Sequence, residues 1–383
     1  MKLSHILLTV LPLSQPASSL TTRQDTNSSL NLNYTLLSHR ALDGLNTAFF
    51  NTTAQRWSPD DAWWLSAIAL TNLLSYSIST NTTSYLPQIT SVLEAQSKPL
   101  PWWPQGNGSF RADSTDDTGW YALALLSTYD LTHNSTYLSL TTTDEAYMSQ
   151  YWLNTSCSGG LIQQIPSQSY KNAISNELYI SLAAGLYLRT DDKNYLDKAV
   201  MAWDWFRESG MINQQDLVND GLTSDCRNNN QTEWSYNQGV ILGALVDLYH
   251  ATGNSSYLSQ AKTIADAAIA VSTSPLITTT DNSPSGTILT ESCEHDGRCN
   301  NDQQAFKGIF AYNLGKLDRE FDERPYRGVL TAWAETMWRY DKAVVQSDGV
   351  EGDLYDVSWA GPYGEASLGR QVSAGGLLVG LID

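Results

Sequence analysis

Positive charge is scarce in this sequence. Its 383 residues carry 22 Lys and Arg against 40 Asp and Glu, a net charge of −18. Phosphate backbones and anionic bilayers bind clustered Lys and Arg, so nucleic acid and membrane surfaces are disfavoured as partners and a neutral substrate is favoured. Histidine is also sparse: the 5 residues are scattered, and none pairs with a cysteine at ligand spacing. No metal and no other cofactor is therefore expected. The sequence has no Gly-x-Ser-x-Gly elbow and no glycine-rich nucleotide loop. No internal apolar run is long enough to cross a bilayer. The C-terminal stretch Gly375-Gly376-Leu377-Leu378-Val379-Gly380-Leu381-Ile382-Asp383 is too short and too polar at its end for a lipid-anchor signal, and reads as a final helix.

Cysteine is limited to Cys157, Cys226, Cys293 and Cys299, with no Cys-x-x-Cys. Disulfides are the default in an oxidising compartment, and these residues allow three pairings. A Cys293–Cys299 bridge would staple the intervening loop and leave Cys157 with Cys226. The start does carry an apolar run, Ile6-Leu7-Leu8-Thr9-Val10-Leu11, after Lys2 and before Ala17-Ser18-Ser19. It reads as a secretory signal peptide over 1–19, followed by an N-terminal segment, 20–33, and one domain, 34–383. Asn-x-Ser/Thr sites at Asn27, Asn33, Asn51, Asn81, Asn107, Asn134, Asn154, Asn230 and Asn254 point to a secreted or cell-wall glycoprotein, expected to act as a monomer.

What is present in quantity is a hidden repeat. Thr82-Thr83-Ser84-Tyr85-Leu86, Asn134-Ser135-Thr136-Tyr137-Leu138, Asp192-Lys193-Asn194-Tyr195-Leu196 and Asn254-Ser255-Ser256-Tyr257-Leu258 resemble one another. They recur about every 50–60 residues, enough for a helical hairpin and a loop. Segments 60–79, 116–130, 173–189 and 236–251, which precede these turns, are apolar nearly all round and should be buried on every side. Segments 193–208 and 255–271 carry one apolar stripe each. Further candidates at 35–50, 83–97, 135–152, 303–317, 325–345 and 365–382 complete about a dozen helices. No strand-like alternation competes over a useful length. The expectation is an all-α fold, an (α/α)6 barrel of six hairpins with inner and outer rings of helices. A helical solenoid is the alternative, because hairpin repeats alone do not prove closure.

The long connections 98–115, 153–172, 209–233, 272–302 and 346–364 all lead into inner helices, so they should gather at one end of the barrel, where function usually sits. Asp116 and Asp117 stand at that end, followed by Trp120 and Tyr121. Paired carboxylates beside aromatic rings suit glycoside chemistry, one attacking and one protonating. The competing reading is a helix cap, since acidic residues favour a first turn. Asp60 and Asp61, before Trp63, form a second pair that could bind hydroxyls or cap a helix. Asp296 and Asp302 border the cysteine loop and read as structural. Lys171, Asn172, Asn176 and Glu177 open one inner helix, Trp234, Tyr236, Asn237 and Gln238 another, and Lys307 a third. Burying such groups is costly, so they should face a wet cavity or pair with one another.

As an ordered set these stretches resemble glycoside hydrolase family 76, the α-1,6-mannanases. The matching motifs are Asp116-Asp117-Thr118-Gly119-Trp120, Cys157-Ser158-Gly159-Gly160, Tyr170-Lys171-Asn172-Ala173-Ile174-Ser175-Asn176-Glu177-Leu178, Trp203-Asp204-Trp205-Phe206, Trp234-Ser235-Tyr236-Asn237-Gln238-Gly239 and Phe306-Lys307-Gly308-Ile309-Phe310. The resemblance implies retaining, endo-acting hydrolysis of α-1,6-mannosidic bonds, with Asp116 as nucleophile and Asp117 as acid/base. The expected partners are α-1,6-linked mannan or mannoprotein glycans. A transglycosidase working on GPI-anchored mannoproteins in wall assembly, or a non-catalytic mannan-binding protein, is the alternative. Two departures from the family pattern stand out. Arg370 occupies a place that is often acidic, and Leu161-Ile162-Gln163-Gln164 replaces glycines or an aromatic residue after the first cysteine.

Overall fold

Three of the four repeated turns are a helix stop followed at once by a helix start. In the computed structural model, which describes residues 32–58, 63–166 and 169–383, α4 (Thr115–Thr132) ends on His133 in the left-handed conformation. Asn134 then caps α5 (Ser135–Ser149), its side chain accepting from Thr136 N. The same exchange joins α6 (Ala173–Thr190) to α7 (Lys193–Glu208) through left-handed Asp191 and the cap Asp192. It also joins α8 (Ser235–Thr252) to α9 (Ser256–Ala268) through Gly253 and Asn254. Short polar side chains tolerate these conformations and satisfy orphaned helix-end groups, which explains the Asn, Asp and Gly of the repeat. The expected signal peptide and its cleavage site, most of segment 20–33, and Asp60 and Asp61 lie outside the described residues.

Among the described residues there are twelve α-helices; the remaining six are α1 (Tyr34–Phe49), α2 (Trp63–Ser79), α3 (Leu86–Gln96), α10 (Phe306–Asp318), α11 (Arg327–Tyr340) and α12 (Leu368–Gly380). The even-numbered helices pack side by side in order, and α12 returns to α2. Asn72 Nδ2 donates to Val372 O at 2.9 Å across that seam. The ring is closed, as the barrel reading expected, and the solenoid is ruled out. Glycines let the inner helices approach closely: a Cβ on Gly308 would sit 2.2 Å from Ser373 O, and one on Gly239 would sit 2.5 Å from Phe310 Cα. The outer helices cover this ring, α5 against α4, α7 against α6, α9 against α8 and α1 against α12.

Three short two-stranded antiparallel pairings depart from the all-helical expectation among the described residues, Phe50–Asn51 with Arg56–Trp57, Ile277–Thr279 with Thr287–Leu289, and a longer one after α11. The helix expected over 325–345 ends at Tyr340, and an antiparallel hairpin follows, Lys342–Ser347 paired with Val350–Tyr355. Its turn is Asp348-Gly349, with φ values of 50° and 82°, the geometry that two-residue hairpin loops favour. Val344 and Val345 prefer this extended state to another helical turn. The hairpin packs on α1, where Arg40 grips Asp353 with Nε–Oδ2 at 3.0 Å and Nη2–Oδ1 at 2.6 Å. The cysteines pair as Cys157–Cys226 and Cys293–Cys299. Among the described residues no helix is long and apolar enough to cross a membrane.

Candidate active site

The start of α4 is fixed from two sides. Ser114 caps it, accepting from Asp117 N at 3.4 Å. The long loop before α6 runs antiparallel to its first residues: Thr115 N donates to Gln163 O at 2.9 Å, and Ile165 N donates to Asp113 O at 2.8 Å. Thr115 Oγ1 adds a bond to Ile162 O at 2.8 Å. This clamp sets the two adjacent carboxyls, both beside the Ser114 hydroxyl.

Their surroundings differ. Asp116 is buried, yet its Oδ2 accepts from Gln163 Nε2 at 3.0 Å and Asn172 Nδ2 at 3.2 Å, and its Oδ1 accepts from Asp117 N at 3.1 Å. Burial raises its pKa, while these donors and the Ser114 hydroxyl pull it back toward the ionised form. The positive end of the α4 dipole acts in the same sense. Asp117 is pushed well above the usual carboxylate range, by burial first and then by the charges of Asp116, Asp113 and Asp302. Burial raises both carboxyls, Asp117 further than Asp116, so that of the two Asp116 gives up its proton more readily.

Aromatic rings line the same end of the barrel. Trp120, one helical turn beyond Asp116, stacks on Trp64 at 5.6 Å, and Trp64 donates from Nε1 to Asp302 Oδ1 at 2.8 Å. Phe306 stands 6.5 Å from Trp64 and lies flat on Tyr236, 3.8 Å between centroids at 6°. Trp234 meets the Phe306 ring edgewise at 5.5 Å. Burial and the nearby carboxylates Asp220, Asp116, Glu177 and Asp302 keep the Tyr236 hydroxyl protonated. Such rings offer flat faces for the C–H side of a sugar, with carboxylates and amides for its hydroxyls. A separate cavity of about 330 Å³ lies beyond Trp120, among Asp130, Ser181, Arg189, Asp247 and Lys316 at the opposite helix ends. Trp120 is part of its wall, and neither Asp116 nor Asp117 is.

Several residues expected to face substrate have other work. Lys171 is buried and donates to Leu153 O and Gly160 O, both at 2.8 Å, and to Gly159 O. It therefore pins the loop that holds Cys157, and burial lowers its pKa to about 8. Asn176 brackets the Leu161 backbone, accepting from Leu161 N at 2.8 Å and donating to Leu161 O at 3.3 Å. Gln238 does the same for Val218, with both bonds at 2.8 Å. Lys307 pairs with Glu294 at 2.8 Å and donates to Val357 O at 2.6 Å. Trp63 turns outward, stacked on Tyr121 at 4.1 Å with its Nε1 on Gln96 at 3.0 Å. Asn237 is sealed in the interior, its amide without a hydrogen-bond partner among the described residues. Asn172, Trp120, Trp234 and Tyr236 do gather with the pair. Asn172 serves twice, since its Oδ1 also caps α6 through Ser175 N at 3.4 Å.

Three residues escaped the sequence reading. Gln163 sits in the loop that departs from the family pattern, and that departure was its only signal. Asp302 was set aside with the cysteine loop, but the Cys293–Cys299 ring closes before it and leaves it free to reach Trp64. Asp220, from the loop before α8, accepts from the Tyr170 hydroxyl, which in turn accepts from Asn229 Nδ2 at 2.8 Å. Arg370 forms ion pairs with Asp356 at 3.1 Å and Glu365 at 3.0 Å.

The profile of Glycosyl hydrolase family 76 matches residues 35–381. A putative mannan endo-1,6-alpha-mannosidase of Schizosaccharomyces pombe is 31% identical over 266 residues, covering 66% of this chain and 58% of that one. The chain therefore spans little more than half of that relative's length. The mannan endo-1,6-alpha-mannosidase DFG5 of Candida albicans is 26% identical over 356 residues, 87% of this chain and 75% of that one. Among solved structures, the α-1,6-mannanase GH76A of Salegentibacter sp. HEL1_6 superposes with a TM-score of 0.76 at 22% identity, covering 92% of this chain and 99% of that one. That structure is an inactive variant with two consecutive aspartates replaced by alanine, in complex with α-1,6-mannotetrose.

Proposed function

This chain belongs to glycosyl hydrolase family 76, and on that premise we propose that it is a secreted mannan endo-1,6-α-mannosidase that cleaves with retention of configuration. Asp116 attacks the anomeric carbon and forms a covalent mannosyl-enzyme. Asp117 gives its proton to the departing glycosidic oxygen, then, ionised, takes one from the water that releases the sugar. The observation that carries this assignment is the unequal environment of the pair. Asp116 has two side-chain amides and a backbone N–H on its carboxylate, whereas Asp117 faces the charges of Asp116, Asp113 and Asp302. Once Asp116 is consumed in the covalent bond, its charge no longer favours the proton on Asp117, which suits the switch from acid to base.

The choice of α-1,6-mannan rests on the activities named for the relatives, and the aromatic mouth with its neutral hydroxyl-binding groups is compatible with it. The two disulfides support secretion. The test is product analysis on unbranched α-1,6-mannan, with and without an acceptor glycan. Internal cleavage to short oligosaccharides without acceptor is expected. Products that appear only when acceptor is present would make the chain a transglycosidase. Bound but uncut mannan would make it a binding protein.

A further inference from the structure

The loop before α4 holds one indole out into solvent. Of the 13 tryptophans only Trp102 is largely exposed, at 45%. Its neighbourhood is stiff. Trp103 N donates to Leu100 O at 3.0 Å, closing a tight turn with Pro101 and Trp102 at its corners, and Pro99 and Pro104 flank it. Trp103 is tied inward through Nε1 to the Tyr147 hydroxyl at 3.0 Å. Ser109 N donates to Ser97 O at 2.7 Å and closes the base of the loop. Gly106 leaves room for the Trp103 ring, since a Cβ there would come within 2.6 Å of it. The turn is therefore rigid, and nothing in its own packing requires Trp102 to face water.

Trp102 also stands at the same end of the barrel as the carboxyl pair, in the loop that leads into α4. Its edge meets Trp63 at 6.2 Å and 75°, and Trp63 stacks on Tyr121, one helical turn beyond Asp117. The same loop runs on into the Ser114 cap. A flat, preorganised, uncharged platform at the loop end of the barrel matches the C–H face of a neutral sugar ring, and the net charge of −18 disfavours a polyanion there.

We infer that Trp102 is an outlying binding platform for the mannan chain, stacking a sugar unit several residues away from the bond that is cut. This rests on the proposed mannan substrate. The platform strengthens the hold on long chains and leaves short ones unaffected.

The test compares the full chain with Trp102→Ala and Trp102→Phe on α-1,6-manno-oligosaccharides of increasing length. In Trp102→Ala, KM for long chains rises by roughly two- to tenfold, the range an aromatic contact provides. KM for the shortest cleaved oligosaccharide and kcat stay as in the parent, and Trp102→Phe recovers most of the loss. A KM that changes equally at every length, or at none, overturns the inference. The rival occupant is a glycan on the sequon at Asn107, five residues on in the same loop. If the length-dependent loss vanishes in an Asn107→Gln background, the indole serves that glycan and the inference fails. Should the parent cut no α-1,6-mannan, the functional proposal fails instead. Affinity electrophoresis in mannan gels still reads the platform: weaker retardation of Trp102→Ala supports it, and equal retardation refutes it.

Discussion

Replacing Gln163 with methionine isolates one contact to the proposed nucleophile. The Gln163 backbone holds the clamp, accepting from Thr115 N and donating to Tyr170 O, both at 2.9 Å, so a side-chain change leaves that frame intact. The Gln163 amide gives Asp116 Oδ2 a bond at 3.0 Å, and methionine keeps the length without the donor. A hydrogen bond to a charged acceptor is worth about 1.5–3 kcal/mol. Asn172 and the Asp117 N–H still serve Asp116, so the loss falls at the lower end of that range. At about 1.4 kcal/mol per pKa unit, the proton affinity of Asp116 rises by about one unit. The sign follows: a higher pKa leaves more Asp116 protonated and unable to attack in acid. The acid limb of kcat/KM against pH, measured from initial rates on α-1,6-manno-oligosaccharides, therefore moves up by about one unit while the alkaline limb stays. A limb that does not move, with an equal loss at all pH values, would refute the electrostatic role. A shift confined to the alkaline limb would mean that the roles of Asp116 and Asp117 are reversed.

Other predictions follow from the same electrostatics and packing. Asp302→Asn removes one of the charges that hold the proton on Asp117, so the alkaline limb of the profile moves down. An unchanged alkaline limb, with the acid limb also fixed, would take Asp302 out of the acid/base machinery. Lys171→Met strands three backbone carbonyls, costing roughly 3 kcal/mol or more of stability, read as a lower denaturation midpoint with KM unchanged. A variant as stable as the parent would show that the Lys171 clamp is dispensable. Burial raises Glu291 to about 7 and Asp341 to about 8. A carboxyl raised in the folded state binds its proton more tightly folded than unfolded. Its contribution is full below the ordinary carboxylate pKa, about 4, and is lost as pH rises through the folded values. Tm should therefore be highest in mildly acidic buffer and fall toward pH ~8, and a Tm that rises over that window contradicts the burial argument.

Much of the architecture was legible because its signals are local. A left-handed stop at His133, Asp191 or Gly253, followed by an Asn or Asp cap, leaves its mark in adjacent residues. The all-round apolar character of the inner helices marks them as buried. The hairpin after Tyr340 was missed because Val344 and Val345 read as more helix, although Asp348-Gly349 carried the hairpin signal. At the site, sequence showed that polar groups such as Lys171 and Lys307 at inner-helix starts needed partners. It did not show whether substrate or backbone carbonyls would serve, since the partners come from distant loops. Gln163 reaches Asp116 across 47 residues of chain and Trp64 reaches Asp302 across 238, separations that no local pattern encodes.

The central claim is a retaining double displacement by Asp116 and Asp117. It is tested most directly by following the anomeric protons of products released from α-1,6-mannan by NMR, before mutarotation sets in. The account predicts that the newly formed reducing ends appear first as the α-anomer and drift to the equilibrium mixture. Release of the β-anomer first would mean a single displacement by water, and would contradict the assignment of Asp116 as a nucleophile.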